Sequence, residues 1–291
     1  MKKLIEFKKQ RELGDVLTDT FGFIRAEFKP FITAVFQISG LYLFLFLIAT
    51  VFYISSTKNM FNFEIGQNTT RLNDLPLMFG SLLILIIFGL LAYTFANSAV
   101  LHYIKSYVNN DGQVNIEQVK QNVKSSFWGF LGLSILKWIT LIIALLFCFL
   151  PILYFMVPMF LVLCIYVFEQ KDATSAYGDS FALIKGEFWV TLVTIIVIGI
   201  IVMIASYAFG IPAAIYSIAK MGIFSGEIDP ENMQDFIDPV YIFLNVISYL
   251  FKFLLNLILT VSSAFIYFNL NEKLNFTGTF ERIQSIGKIK E

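Results

Sequence analysis

The stretch Phe127–Phe168 reads FWGFLGLSILKWITLIIALLFCFLPILYFMVPMFLVLCIYVF, and Lys137 is the one charged residue among its 42 positions. As a single helix it would run about 63 Å, twice the thickness of the hydrocarbon core of a bilayer. Pro151 lies near the midpoint, and a proline interrupts a helix because it lacks the N–H group. The stretch therefore predicts two membrane-spanning helices joined by a tight hairpin.

The composition of the whole chain agrees with this interpretation. Of its 291 residues, 57% are hydrophobic and 14% are charged, and the mean hydropathy is +0.75. A soluble domain has about 25% charged residues, so a single core of this size cannot bury the apolar excess. The composition excludes a soluble enzyme, a disordered protein and a nucleic-acid-binding protein, and it indicates a polytopic membrane protein.

Six apolar segments are long enough to cross the hydrocarbon core, which takes about 20 residues of helix. They are Phe31–Ile54, Leu77–Leu101, Phe127–Phe149, Ile152–Phe168, Phe188–Phe209 and Val240–Leu270. The fourth is the shortest, and we expect it to lie obliquely or to be shielded by its neighbours. The sequence thus predicts an all-α polytopic protein with residues 1–291 in a single membrane domain.

Lysine and arginine are distributed unevenly between the two predicted sides of the membrane. Most of the 21 basic residues fall in the N-terminal segment, the even-numbered loops and the C-terminal tail. The positive-inside rule therefore predicts that both termini are cytoplasmic. Lys2 and Lys290 should lie on the cytoplasmic side, and Asp235 should lie outside.

Two segments that precede predicted spans match closely. Asp19–Phe28 reads DTFGFIRAEF and Asp179–Phe188 reads DSFALIKGEF, with five identical and five conservative positions. Phe21, Ile24 and Phe28 share one helical face, as do their counterparts in the second copy. A helix with such a face and flanking charges is typical of the headgroup layer of a membrane.

A degenerate third copy, ending at Phe127, completes a threefold pattern. We predict three units, residues 1–106, 107–168 and 169–291, each a cytoplasmic interfacial amphipathic helix followed by a transmembrane hairpin. Parallel repeats of this kind are related by an axis along the membrane normal, here a pseudo-threefold axis. The interfacial helices either anchor each hairpin or form a cytoplasmic collar that binds headgroups or a partner. The candidate headgroup contacts are Arg25, Lys29, Lys124 and Lys185.

Two lysines lie within predicted spans, where each costs about 2.5–3.5 kcal/mol. Lys137 and Lys252 both fall near the predicted midplane, and Lys252 belongs to a polar stripe on one helical face. Either the lysines snorkel and the stripe joins neighbouring helices, or the polar residues face one cavity that holds an anionic group. The candidate anion- or lipid-binding residues are Lys137, Lys252, Asn245, Asn256 and Asn97.

Three stretches carry a resemblance to a known family: FLPIL at Phe149–Leu153, SAYGDSFALIKGEFW at Ser175–Trp189, and LGDVLTDTF at Leu13–Phe21. They resemble the six-span membrane domain found alone in many bacteria and fused to some glycerophosphodiester phosphodiesterases. Ile152 stands where that family usually has glycine after the hairpin proline. The resemblance implies a multi-pass protein of the bacterial inner membrane. It does not imply hydrolase activity, because we expect the six spans to use up the chain.

The sequence lacks the patterns of a catalytic site. No Asp or Glu occurs within a predicted span, and neither GxSxG nor HExxH is present. The single histidine, His102, is expected to be an interfacial side chain rather than a proton relay. We therefore predict a protein that is not an enzyme and takes no cofactor, metal or nucleic acid. The leading hypothesis is a scaffold or accessory subunit that binds phospholipid or another membrane protein. The alternative is a carrier or flippase for an amphipathic anion that uses Lys137 and Lys252.

Overall fold

The structure is a computed structural model that describes residues 4–58, 68–147, 149–223 and 236–287. Within these ranges the chain forms eight helices and no strand. The helices are α1 (Leu13–Ser56), α2 (Asn68–Asn109), α3 (Ile116–Leu146), α4 (Phe149–Glu169), α5 (Ala173–Leu183), α6 (Phe188–Lys220), α7 (Pro239–Asn275) and α8 (Thr277–Gly287). Lys2, Asp235 and Lys290, on which the predicted orientation can be tested, lie outside the described residues.

Six of these helices, α1, α2, α3, α4, α6 and α7, are long and apolar enough to cross a membrane. Each predicted span overlaps one of them. The chain is therefore an all-α polytopic membrane protein, and the fold class predicted from its composition is confirmed.

The predicted break in Phe127–Phe168 is also confirmed. α3 ends at Leu146 and α4 begins at Phe149, so Pro151 occupies the first turn of α4, where its missing N–H leaves no bond unmade. The two helices then pack against each other, with the rings of Phe130 and Tyr166 6.2 Å apart. Gly129 permits this approach, because a Cβ at that position would overlap the Tyr166 hydroxyl.

α5 runs back along α4. Lys171, in the connection, pairs with Glu169 of α4 at 2.7 Å and with Asp179 of α5 at 2.8 Å. Near the other end of the pair, Phe181 of α5 packs on Tyr154 of α4 with ring centroids 6.2 Å apart. Because α4 and α5 run side by side in opposite directions, both helices make a similar angle with the membrane plane. If α5 lies along the membrane surface, α4 must therefore lie obliquely. α4 is also the most shielded of the six apolar helices, because 50% of the residues in its most apolar stretch are buried.

The two matching segments of the repeat differ in their backbone. Asp19–Phe28 is an uninterrupted part of α1, whereas Asp179–Phe188 is divided by the turn between α5 and α6. Gly186, in that turn, has a φ of 85°, a left-handed conformation that favours glycine, and Ala26 stands at the equivalent position of α1. Both copies nevertheless bury the same positions, Thr20 and Phe23 in the first and Ser180 and Leu183 in the second.

The helices contribute to two compact units. Unit 1 comprises residues 1–38, 94–201 and 257–291, and unit 2 comprises residues 39–93 and 202–256. All of α3, α4, α5 and α8 belong to unit 1, whereas α1, α2, α6 and α7 each contribute to both units. The compact units therefore divide the first and third segments of the predicted repeat, whereas the middle segment, residues 107–168, lies wholly in unit 1.

An aromatic cluster forms part of the core of unit 1. Phe7, which precedes α1, stacks on Phe265 of α7 with ring centroids 4.3 Å apart. Phe23 of α1 makes edge contacts with Phe7 at 5.2 Å and with Tyr107 of α2 at 5.3 Å. Such pairs contribute about 0.5–1.5 kcal/mol each beyond the area they bury. The cluster therefore fixes the segment before α1 against α2 and α7.

Arg11 secures the same segment from inside. The residue is 4% exposed. Its guanidinium donates to the carbonyl oxygens of Glu6, Phe7 (2.6 Å) and Lys9 (3.1 Å) and to the carboxylate of Asp19 (2.9 Å). Burial lowers the pKa of the guanidinium, and the hydrogen bond to Asp19 opposes that effect. The side chain therefore supplies hydrogen bonds that the irregular segment would otherwise lack.

A buried carboxylate of α7 holds the start of α8. Glu272 is 1% exposed and accepts hydrogen bonds from the backbone N–H groups of Gly278 at 2.7 Å and Thr279 at 2.9 Å. It also accepts from the Thr279 hydroxyl at 2.6 Å. Since the first N–H groups of a helix have no partner within it, Glu272 acts as the cap of α8.

Unit 2 is packed by the remaining parts of the four long helices. Phe209 of α6 stacks on Phe251 of α7 with ring centroids 4.1 Å apart. The hydroxyls of Ser56 in α1 and Ser81 in α2 are joined by a buried hydrogen bond of 2.6 Å. Aromatic stacking and a polar contact between helices therefore both contribute to this unit.

Candidate functional site

The four predicted headgroup contacts all lie at the surface of unit 1. Arg25 and Lys29 are exposed on α1, Lys124 is exposed on α3, and Lys185 is exposed in the turn before α6. Two tryptophans stand close to them in sequence, Trp128 with 78% of its surface exposed and Trp189 with 74%. We call these six residues the headgroup belt.

The belt combines cations with exposed indoles in a regular way. Trp128 follows Lys124 by four residues on α3, so the two side chains share one helical face. Trp189 follows Lys185 by the same interval at the start of α6. Tryptophan concentrates at membrane–water interfaces, because its ring is apolar and its N–H is polar. The two pairs therefore have the composition that is typical of a membrane–water interface.

Lys137 lies within α3, the third of the apolar helices. It follows Trp128 by nine residues, about 14 Å of helix, which is half of a 30 Å hydrocarbon core. Its side chain is half-buried. Ser134, one turn earlier, is buried, and its hydroxyl has no hydrogen-bond partner among the described residues. Lys137 thus lies one helical turn from a buried polar side chain of α3.

Lys252 has a different environment, on α7 in unit 2. Its side chain is exposed, and its ammonium lies over the ring of Tyr249, 5.3 Å from the centroid. An exposed lysine on a membrane helix can extend along apolar surface towards the headgroups. The exposure of Lys252 therefore favours snorkelling over a role in an enclosed cavity.

The candidate asparagines Asn97 and Asn245 make hydrogen bonds, one between two helices and one within a helix. Asn97 is 2% exposed and accepts a hydrogen bond from the Thr260 hydroxyl, which joins α2 to α7 within unit 1. Asn245 donates to the Tyr241 carbonyl oxygen of its own helix at 2.9 Å. Asn256 is half-buried. Asn97 and Lys137 belong to unit 1, whereas Asn245, Lys252 and Asn256 belong to unit 2.

Replacing Lys252 by methionine tests the snorkelling interpretation. We expect the Lys252→Met variant to be as stable as the parent or more stable, because the change removes a charge from an apolar surface at similar volume. The lipid bound by the purified protein should be unchanged, as measured by native mass spectrometry. A variant that folds normally but loses anionic lipid would instead favour the cavity and the carrier hypothesis.

A cavity that the sequence did not predict lies within unit 1, where α2, α3 and α4 meet. Its volume is about 270 Å³. Its lining residues are His102, Lys105, Asn122, Ser125, Ser126, Tyr166, Val167, Gln170 and Lys171. The imidazole Nε2 of His102 lies 3.0 Å from the Ser126 hydroxyl, and the Lys105 ammonium donates to the Val167 carbonyl oxygen at 2.6 Å.

The sequence placed Lys105 and Lys171 among ordinary loop cations. Nothing in their spacing relates them, because they come from the ends of α2 and α4 and meet only through the packing of the hairpin on α2. One weak signal was His102, which lies one helical turn before Lys105 and therefore on the same face of α2. His102 is 7% exposed, so its imidazole packs within the protein.

No protein-family model, no curated protein and no solved structure matches this chain. The resemblance to the phosphodiesterase-associated membrane domain therefore stays a prediction from the residues that carry it. The helices themselves define the class: this is a multi-pass integral membrane protein.

Proposed function

We propose that this protein binds anionic phospholipid through the headgroup belt and acts as a non-enzymatic scaffold or accessory subunit for another membrane protein. The observation that supports the proposal is the pairing of an exposed lysine with an exposed tryptophan at Lys124 and Trp128, and again at Lys185 and Trp189. We further propose that the membrane is the bacterial inner membrane and that the belt lies on its cytoplasmic face.

The physical argument combines the two kinds of side chain. The indole rings fix the depth of α3 and α6 at the interface, and the lysines beside them meet lipid phosphates. A lysine close to an anionic surface contributes about 1 kcal/mol of attraction, which is roughly fivefold in a binding constant. Several such cations on one unit would concentrate anionic lipid around it, and this lipid could in turn support a partner protein.

A double variant tests lipid binding by the belt. In nanodiscs of mixed phosphatidylcholine and phosphatidylglycerol, we expect Lys124→Gln with Lys185→Gln to lower the retained phosphatidylglycerol severalfold. Native mass spectrometry gives the ratio of the two retained lipids. The matched control is Lys120→Gln, an exposed lysine of α3 that lies two turns before Trp128. If the double variant and the control retain the same lipid as the parent, belt recognition is wrong.

The scaffold role has a separate test. After extraction of native membranes in a gentle detergent, the protein should co-purify with one partner in fixed stoichiometry. Recovery of the lone protein with no retained lipid would contradict the proposal.

A further inference from the structure

The cavity bounded by α2, α3 and α4 contains a cation without a counter-charge. Lys105 is half-buried, and in the described part of the chain its ammonium contacts the Val167 carbonyl oxygen but forms no ion pair with a carboxylate. A lysine ammonium has three N–H donors, so donors remain for a second acceptor. Partly desolvated charge without a counter-ion is unfavourable, and a bound anion would relieve it.

Lys171, at the rim of the same cavity, has a contrasting environment. It is paired with Glu169 and Asp179, and these contacts raise its pKa, with the hydrogen bond to Asp179 as the largest cause. Lys171 and its two carboxylates together carry one net negative charge, so Lys171 has no positive charge left over for an anion. Lys105 is therefore the lining lysine that an anion would contact.

The other lining groups are those that an oxyanion uses. The side chains of Asn122 and Gln170 bring amide donors to the wall of the cavity, whereas the Ser125 hydroxyl, which also lines it, donates to the Asn122 carbonyl oxygen at 3.0 Å. The Nδ1 atom of His102, a lining residue, is buried and has no hydrogen-bond partner among the described residues. Buried polar atoms of this kind are normally satisfied by water or a ligand. The cavity wall therefore includes a buried polar atom for which the described residues supply no hydrogen-bond partner.

The cavity lies close to Trp128 of the headgroup belt. Ser126, which contacts His102, precedes the exposed Trp128 by two residues on α3, which is about 3 Å of helix. If Trp128 lies at the membrane interface, as the proposed function requires, the opening lies beside the headgroup layer.

From these observations we propose that this cavity binds one phosphate group, with Lys105 as its principal cationic contact. The group is either the phosphodiester of an anionic phospholipid or free inorganic phosphate, which offer the same oxygens to the site. The site is separate from the headgroup belt, because none of the belt residues lines the cavity. The two proposals can therefore fail independently.

Two variants address the cavity by different means. Lys105→Gln removes the charge at its inner wall. Ser125→Asp adds a negative charge at an exposed position of the wall, where refolding of the interior is not required. Both should lower occupancy about tenfold or more, which corresponds to the loss of one charge-assisted hydrogen bond. Lys120→Gln, an exposed cation of α3 outside the cavity, should leave occupancy unchanged.

The measurement uses the full chain in two arms. In the first, the protein is held in phosphatidylcholine nanodiscs with a minor share of phosphatidylglycerol, and native mass spectrometry counts tightly retained phosphatidylglycerol. In the second, the protein in detergent is titrated with inorganic phosphate by calorimetry. If the cavity variants lose bound phosphatidylglycerol in the first arm alone, the ligand is a lipid phosphodiester. If they lose phosphate binding in the second arm, the ligand is free phosphate. The proposal is overturned if both variants, with unchanged melting temperature, behave as the parent in both arms. It is also overturned if only the belt variants lose lipid while the cavity variants bind inorganic phosphate as the parent does.

Discussion

The Arg11→Met variant should unfold with a free energy about 3–5 kcal/mol lower than that of the parent protein. Arg11 is 4% exposed, and its guanidinium is shared among three backbone carbonyl oxygens and the Asp19 carboxylate. Methionine fills a similar volume but donates nothing, so these acceptors would be left without their donor. The guanidinium also lies over the Phe265 ring, 4.8 Å from the centroid, and that contact would be lost as well. Titration of the reconstituted protein with a denaturing detergent measures the change.

A neighbouring cation provides the matched control. Lys9 pairs with the same carboxylate, that of Asp19, at 2.8 Å, but its side chain is 38% exposed. An exposed ion pair contributes about 0–1 kcal/mol, so Lys9→Met should change the unfolding free energy little. Arg11→Lys should not restore stability, because a single ammonium cannot reproduce the fork of donors. Equal stability of the Arg11→Met and Lys9→Met variants would show that the buried network is not essential.

The second large effect concerns the cap of α8. Glu272→Ala should cost about 2–4 kcal/mol locally, because the buried N–H groups of Gly278 and Thr279 would lose their acceptor. The helix should then separate from α7, and its amides should exchange with solvent much faster. Hydrogen–deuterium exchange resolved over Thr277–Gly287 is the measurement.

Glu281, on α8 itself, serves as the comparison. Glu281 pairs with Lys8 at 2.6 Å, and its side chain is 59% exposed. Because exposed ion pairs contribute little to stability, Glu281→Ala should leave the hydrogen exchange of α8 almost unchanged. Glu272→Gln should fall between the two, since a glutamine keeps one acceptor oxygen. If the Glu272→Ala variant shows the protection of the parent, α8 is held by contacts other than its cap.

The spans could be predicted because their signals are local. A run of apolar residues about 20 long is sufficient to identify a helix of this class, and Pro151 is sufficient to divide α3 from α4. The two copies of the repeat could also be matched from sequence. What could not be foreseen is that Gly186 interrupts the second copy where Ala26 continues the first, since glycine is tolerated in a helix as well as in a left-handed turn.

The buried charges could not be predicted for the opposite reason. Lys105 and Glu272 lie just beyond predicted spans, and Arg11 lies in the charged N-terminal segment; in both places the positive-inside rule and helix periodicity treat every charge as solvated. Their burial depends on partners far away in sequence, such as Asn269 for Arg11 and Val167 for Lys105. The cavity bounded by α2, α3 and α4 depends on the same long-range packing, so its lining residues form no recognisable motif in the sequence.

The contacts of the segment before α1 have a consequence for the order of synthesis. The backbone N–H of Arg11 donates to the Asn269 side chain at 2.7 Å across 258 residues, and Phe7 stacks on Phe265. At about 5–20 residues per second, a ribosome reaches Asn269 roughly 13–50 s after Arg11. During that time Phe7 and Arg11 emerge without the α7 surface that buries them, so a chaperone or protease has access to them throughout insertion. A chain released before Phe265 would keep this segment exposed, which gives cells a means to distinguish unfinished copies from completed ones.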